Sequence, residues 1–209
     1  MKQFTTHKGT VAILYRGNID TDQIIPKQHL KSIKKTGFDE GLFSDWRFLE
    51  DGSDNPDFEL NQPQYIDATI LLVGNNFGCG SSREHAVWAI LQSGYHAIIA
   101  PFKEKDSGRI HAFADIFKNN SVKNGLLLIE LPEKDVLELK EAVEKEPHLE
   151  MDIDLEKQTV ILGNLTKSFN IDSAAKERLL KGFDDIGISL QYEDEIGAFE
   201  KNHDVQLVL

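Results

Sequence analysis

The stretch from Ala68 to Gln92 permits few folds. Ala68–Gly74 reads ATILLVG, an apolar run without polar interruption, as expected of a strand covered on both faces. It leads into Asn76–Ala86, NFGCGSSREHA, after which Glu84–Gln92 continues at helical spacing through Val87, Ala89, Ile90 and Leu91. Gly78 and Gly80 free the turn between strand and helix, so that backbone amides there can approach an anion. The first helical turn adds its unpaired N–H groups and positive dipole end, and Arg83 adds a fork of donors that fits a carboxylate. Ser81–Glu84 also fits a capping box, with a serine accepting from the third helical N–H and Glu84 reaching back. Capping accounts for Ser81 and Glu84. It leaves the second serine, Arg83 and the two upstream glycines unexplained.

Further strands and helices flank this segment, with no internal repeat. Thr10–Tyr15 reads as a strand, and Asn18–Pro26 as a bend and terminator. Residues 27–64 lack clear periodicity and form a long excursion with a helical piece near Gln28–Lys35, not a separate core. Ala97–Ala100 and Gly125–Leu131 are further strands, with a helix opening at Phe113–Lys118 between them. Crossovers would set these strands parallel and side by side, with the Gly-Ser-Ser-Arg turn on the rim where open α/β sheets bind ligands. After Pro132 a surface helix turns Val136, Leu139, Ala142 and Val143 inward. Leu149, Met151, Ile153 and Leu155 then alternate with polar residues, and Thr159–Leu162 and Ser168–Ile171 complete an antiparallel unit. Asp172 or Ser173 caps a helix that Gly182 ends, and a last amphipathic stretch carries Ile186, Leu190, Ile196 and Phe199. The closing VQLVL reads as an edge strand or a partner contact.

Composition excludes several functions. A formal net charge of -12 argues against nucleic acid or an anionic membrane as the main partner, so an anion site must be built locally. The N-terminus lacks a basic-then-apolar signal pattern and no apolar run approaches the ~20 residues that span a bilayer, which makes the cytoplasm the expected location. Cys79 is the single cysteine, so this chain has no internal disulfide and cannot by itself hold a cubane cluster that needs several thiolates. Without a Cys-His-Asn pattern, Cys79 reads as a small residue in a tight turn. Asp20 and Asp22 close turns before Pro26 or pair toward a metal, but no third ligand is clustered with them. His85 reads as a packed or solvent-facing helical residue, and the remaining histidines lack metal-ligand spacing.

Six motifs stand in order over nearly the whole chain: DTDQIIP (Asp20–Pro26), NFGCGSSREHA (Asn76–Ala86), AIIAP (Ala97–Pro101), FADIF (Phe113–Phe117), KNGLL (Lys123–Leu127) and DDIGISLQYEDEI (Asp184–Ile196). Together they resemble the small subunit of 3-isopropylmalate dehydratase, and the Gly-Ser-Ser-Arg-Glu-His turn is shared with the swivelling domain of aconitase. The resemblance implies a single α/β unit over residues 1–209, a swivelling β/β/α domain with a parallel βαβ core and additional antiparallel strands. It implies a hydro-lyase of leucine biosynthesis that interconverts 2-isopropylmalate and 3-isopropylmalate through an alkene. It also implies no cofactor or metal on this chain, with a 4Fe-4S cluster on a separate large subunit as partner and a small dicarboxylate as substrate. By the same likeness Ser81 is the catalytic base, Ser82 and Arg83 bind substrate carboxylates at the Gly80 turn, and Asp22 joins the polar network facing the partner that carries the cluster. The loop His29–Lys35 bears on substrate choice, with Leu30 suited to an isopropyl group. Lys31 and Lys34 suit a third carboxylate, as in a homoaconitase, and a citraconate or methylmalate enzyme is a further relative of the same type.

The chain departs from the family pattern at two places. Val87 stands where a proline commonly follows Glu-His-Ala, and Phe102–Ala112 intervenes between AIIAP and FADIF where members carry one serine, a role left to Ser107 here. The insertion follows the C-terminal end of a strand, and its expected place is therefore near the active rim or the interface with the partner. A non-catalytic module that holds a metabolite in the same turn is the contrasting reading.

Overall fold

In a computed structural model, which describes residues 1–31, 35–106 and 108–202, the apolar runs of the sequence lie side by side. The chain opens with two short strands, β1 (Thr6–Gly9) and β2 (Val11–Leu14), separated only by Thr10 and belonging to different sheets. A single helical turn follows, α1 (Thr21–Ile24), and another, α2 (Ser44–Arg47), lies within the excursion. Then come β3 (Ile70–Val73), α3 (Glu84–Gln92), β4 (Ala97–Lys105), β5 (Gly108–Ile110), α4 (Asp115–Asn124), β6 (Leu127–Pro132) and α5 (Glu133–Lys145). Strands β2, β3, β4 and β6 pair in parallel in that spatial order. All four residues of β3 are fully buried. Successive strand side chains point to opposite faces, so the sheet is covered on both, and each such side chain contributes roughly 1.5–3 kcal/mol. Helix α5 packs on β4 and β6 and α4 on β6 and α3, with Val136, Leu139 and Val143 buried as their spacing requires.

The excursion adds no core of its own. Phe38, Leu42, Phe43 and Phe58 are buried in the one hydrophobic cluster, and Arg16 lies 4.8 Å over the Trp46 ring. The helical piece expected near Gln28–Lys35 is a 3-10 helix at Lys27–Lys31, and residues 32–34 of that stretch lie outside the described residues. The insertion is a hairpin extension: the end of β4 pairs antiparallel with β5, Lys103 opposite Ile110 and Glu104 opposite Arg109. Arg109 sits 3.8 Å over the Phe102 ring, tying the hairpin to its own base.

The second sheet is antiparallel and contains β7 (Met151–Asp154), β8 (Thr159–Leu162) and β9 (Leu165–Ser168) in the order β1-β7-β8-β9. The third strand of this unit lies earlier than the expected Ser168–Ile171, because Gly163 and Asn164 close a two-residue hairpin that sets Leu162 opposite Leu165. Helix α6 (Ser173–Lys181) is capped by Asp172, whose Oδ1 accepts from the amides of Ala174 and Ala175, and Gly182 ends it in the left-handed region. The last amphipathic stretch forms α7 (Asp185–Leu190) and α8 (Glu193–Asn202), but Ile186, Leu190 and Ile196 remain 70%, 59% and 44% exposed. Lys34, Ser107, His203 and VQLVL lie outside the described residues, as does the Lys31 side chain. Among the described residues no helix is long and apolar enough to cross a membrane.

His7 on β1 and His96 before β4 meet edge to face where the two sheets join, ring centres 4.8 Å apart, and His7 Nε2 lies 2.7 Å from Thr69 Oγ1. Burial holds both imidazoles below their ordinary value, with His96 and Lys2 adding repulsion on His7 and Lys2 on His96. A folded value below the unfolded 6.5 means that the unfolded chain takes up more protons in that window. Stability is therefore complete above that value and declines as pH falls through and below it. The melting temperature should drop between about pH 7.5 and about pH 5.5, and the drop should be shallower in His7→Gln/His96→Gln. Equal slopes in the two proteins would overturn the assignment.

Candidate active site

The turn after β3 is held at its base by the insertion's return strand. Asn76 N–H donates to His111 O at 2.9 Å, Phe77 N–H to Ala112 O at 3.0 Å, and Ala114 N–H back to Phe77 O at 3.0 Å. Phe77 is fully buried against Phe113 and Phe117. At Gly78 φ is +73°, and a Cβ there would lie 2.3 Å from Phe117 Cγ, so the chain passes only because no side chain is present. Gly80, at φ +93°, then turns the backbone toward α3.

The far side of the turn rests on α1. Asp20 and Gln23 form a reciprocal capping box, with both backbone-to-side-chain hydrogen bonds at 2.8 Å, which fixes this short helix. From that frame Thr21 N–H donates to Cys79 O at 2.9 Å and Thr21 Oγ1–H to Ser81 O at 3.0 Å. Asp22 Oδ1 accepts from Arg83 Nη1 at 2.5 Å. Gly80, Ser81, Arg83 and Asp22 are thus brought together at the C-terminal rim of the parallel sheet. Ser81 and Ser82 are exposed. Leu30 lies further along, in the 3-10 turn after α1, and packs its half-buried side chain against the core.

The expected capping box at Ser81–Glu84 is absent. Helix α3 begins at Glu84 with Arg83 as its N-cap and no side-chain cap. Glu84 Oε1 instead accepts from Asn124 Nδ2 at 2.8 Å, and Asn124 Oδ1 accepts from Trp88 Nε1 at 2.8 Å. Neither serine is used as a cap, which leaves the first-turn amides and both hydroxyls at the rim. Asn124 and Thr21 escaped the sequence reading, because a lone amide at a helix end and a threonine between two aspartates carry no periodic signal. His85 packs edge-on against Phe38 and Trp88, as a structural residue does.

The electrostatics follow from these contacts. Arg83, whose side chain is 13% exposed, holds the Asp22 carboxyl below the usual carboxylate range through its hydrogen bond, against a smaller opposing effect of burial. Asp22 is 45% exposed, so the pair adds under about 1 kcal/mol to stability; its consequence is orientation of the guanidinium. Burial, then the Asp20 charge, pushes the Cys79 thiol up, away from a reactive thiolate. Among the described residues no group of three or more His, Cys, Asp or Glu side chains could hold a metal. With its one cysteine, this chain does not fit an iron–sulfur cluster. A cavity of about 920 Å³ lies at the opposite end of α3, between His29, Ser44 and Arg47 on one side and Gln92–Gly94 on the other, and takes in none of the rim residues. The rim itself is open to solvent at Gly80, Ser81 and Ser82.

Residues 1–134 match the family of the aconitase C-terminal domain, and residues 185–206 match the C-terminal domain of 3-isopropylmalate dehydratase small subunits. The 3-isopropylmalate dehydratase small subunit of Desulforapulum autotrophicum is 51% identical over 203 residues, covering 96% of this chain and 95% of that one. That of Anoxybacillus flavithermus is 52% identical over 202 residues, covering 96% and 98%. The chain belongs to the 3-isopropylmalate dehydratase small-subunit family. The solved structure of 3-isopropylmalate dehydratase from Methanocaldococcus jannaschii shares the fold, with a TM-score of 0.62 at 24% identity over 93% of this chain and 99% of that one. Membership makes the chain part of a hydro-lyase in the aconitase superfamily, and a small subunit implies a large-subunit partner.

Two measurements check this geometry. Gly78→Ala combines a left-handed residue with a clash on Phe117, and should lose about 2–4 kcal/mol in denaturant unfolding, against under about 1 kcal/mol if the turn relaxes freely. The Asp22 carboxyl should titrate below 3.8 in the native chain and return toward that value in Arg83→Gln. Its contribution to stability is then present above the ordinary carboxylate range and lost as pH falls through the depressed value. An unchanged titration in Arg83→Gln would contradict the pairing.

Proposed function

We infer that this chain is the small subunit of a 3-isopropylmalate dehydratase, interconverting 2-isopropylmalate and 3-isopropylmalate by loss and return of water in leucine biosynthesis. The observation that carries the reading is the open rim at Gly80–Arg83, where two serines without a capping role stand beside an oriented arginine. Relatives about half identical over nearly the full length support the substrate.

The reaction removes a proton from carbon beside a carboxylate, a very weak acid, so the charge that grows on that carboxylate must be met by donors already aimed at it. Arg83 fills that need: Asp22 takes one N–H of a guanidinium that carries five and fixes its plane. Ser82 adds a hydroxyl donor next to it. Ser81 is the base that takes the proton as the hydroxyl on the neighbouring carbon departs, leaving the alkene. The positive end of α3 and Arg83 stabilise its alkoxide. Leu30 serves the isopropyl group. A 4Fe-4S cluster carried by the large subunit supplies Lewis-acid chemistry at the departing hydroxyl, since this chain has one cysteine. The exposed Ile186, Leu190 and Ile196 of α7 and α8 are in keeping with a chain that works against a partner surface.

With the large subunit reconstituted, Ser81→Ala should lower kcat about 10²–10⁴-fold while the two chains still co-purify. Near-wild-type turnover would remove Ser81 from the base role, and isopropylmalate turnover by the isolated small chain would overturn the composite site.

A further inference from the structure

The Ser81–Arg83 stretch is neither strand nor helix, yet it must present a hydroxyl and a guanidinium at fixed positions. Its attachments come from two consecutive residues of α1. Thr21 N–H holds Cys79 O, Thr21 Oγ1–H holds Ser81 O, and Asp22 holds the Arg83 guanidinium, so that residues 79, 81 and 83 are each tied to one short helix. Thr21 sits at 1% exposure, one of the few polar residues buried in the fold. A buried hydroxyl that loses its acceptor is costly, and a Ser81 peptide that loses its donor is free to rotate.

We propose that Thr21 is a positioning residue for the reaction, its buried hydroxyl setting the direction of the Ser81 peptide and thereby the placement of the Ser81 side chain. It touches no substrate. The proposal rests on Ser81 being the base, and it explains how a serine at an exposed turn is held firmly enough to act as one. Gly80, immediately upstream, has φ +93° and gives the Ser81 peptide little restraint of its own. The Asp20–Gln23 capping box keeps the α1 frame rigid. Displacements of about 1 Å at reacting groups cost on the order of 10²-fold in rate, so one lost hydrogen bond is enough to be visible.

The test compares Thr21→Ser with Thr21→Ala in the reconstituted two-subunit enzyme. Both lack the methyl group, and they differ only in the hydroxyl. Thr21→Ser should keep kcat within about 3-fold of the parent, whereas Thr21→Ala should lose about 10–100-fold in kcat with KM within about 3-fold and the complex intact. Thr21→Val, which keeps the volume without the hydroxyl, should follow Thr21→Ala. Equal kcat in the serine and alanine variants would overturn the proposal, because packing alone would then account for Thr21. Unfolding of both Thr21→Ala and Thr21→Val beside a native Thr21→Ser would overturn it too, by assigning the hydroxyl to stability. Ser81→Ala is measured alongside. Parent-like turnover there sinks the base assignment whatever Thr21 does, while a dead Ser81→Ala with an unaffected Thr21→Ala sinks only the positioning role.

Discussion

The rim site depends on one contact, the docking of the α1 turn against residues 79–83. Left alone, a turn with two glycines at positive φ would sample many conformations, and its serines would have no defined direction. The capped first turn of α1 removes that freedom with hydrogen bonds spread over three alternate residues. The Arg83–Asp22 pair illustrates why such contacts matter more for geometry than for stability. It is half open to water and adds little to folding, but it decides which way a five-donor fork points.

Everything beneath the rim serves to keep that contact in place. The fully buried parallel strands bring the ends of β2 and β3 together, so the segments leaving them, one toward α1 and one into the glycine turn, must pass each other. Phe77, Phe113 and Phe117 lock the turn to the start of α4, and the Glu84–Asn124–Trp88 chain of hydrogen bonds locks the start of α3 to the end of α4. What results is an open rim that carries two uncapped serines and an oriented arginine, with no group of side chains that could hold a metal among the described residues.

Much of this was legible in the residues. The run ATILLVG could only be a buried strand, the glycines that follow it could only be a turn, and the spacing from Glu84 to Gln92 gave the helix its bounds. The inward residues of α5 and the Asp172 cap of α6 followed from local rules as well. Where those rules misled, a distant partner was the reason. Ser81–Glu84 satisfied a capping pattern, but Asn124 takes Glu84 and the helix starts without a cap. The strand expected at Ser168–Ile171 lies at Leu165–Ser168, because a hairpin at Gly163 and Asn164 sets the register. The apolar residues of α7 and α8 obey helical spacing and remain exposed on this chain.

The sequence by itself determined the order of the four parallel strands and of helices α3 to α6, the chemical types at the rim and the single cysteine. Those properties reside in neighbouring residues, within the reach of hydrophobic period, glycine and composition. The tertiary structure alone decided that Asp22, 61 positions away, is the carboxylate that meets Arg83, and that Thr21 is the hydroxyl that holds Ser81. Such pairings exist only when β2 and β3 lie side by side, because adjacency across a sheet is a product of packing and leaves no local trace in the chain.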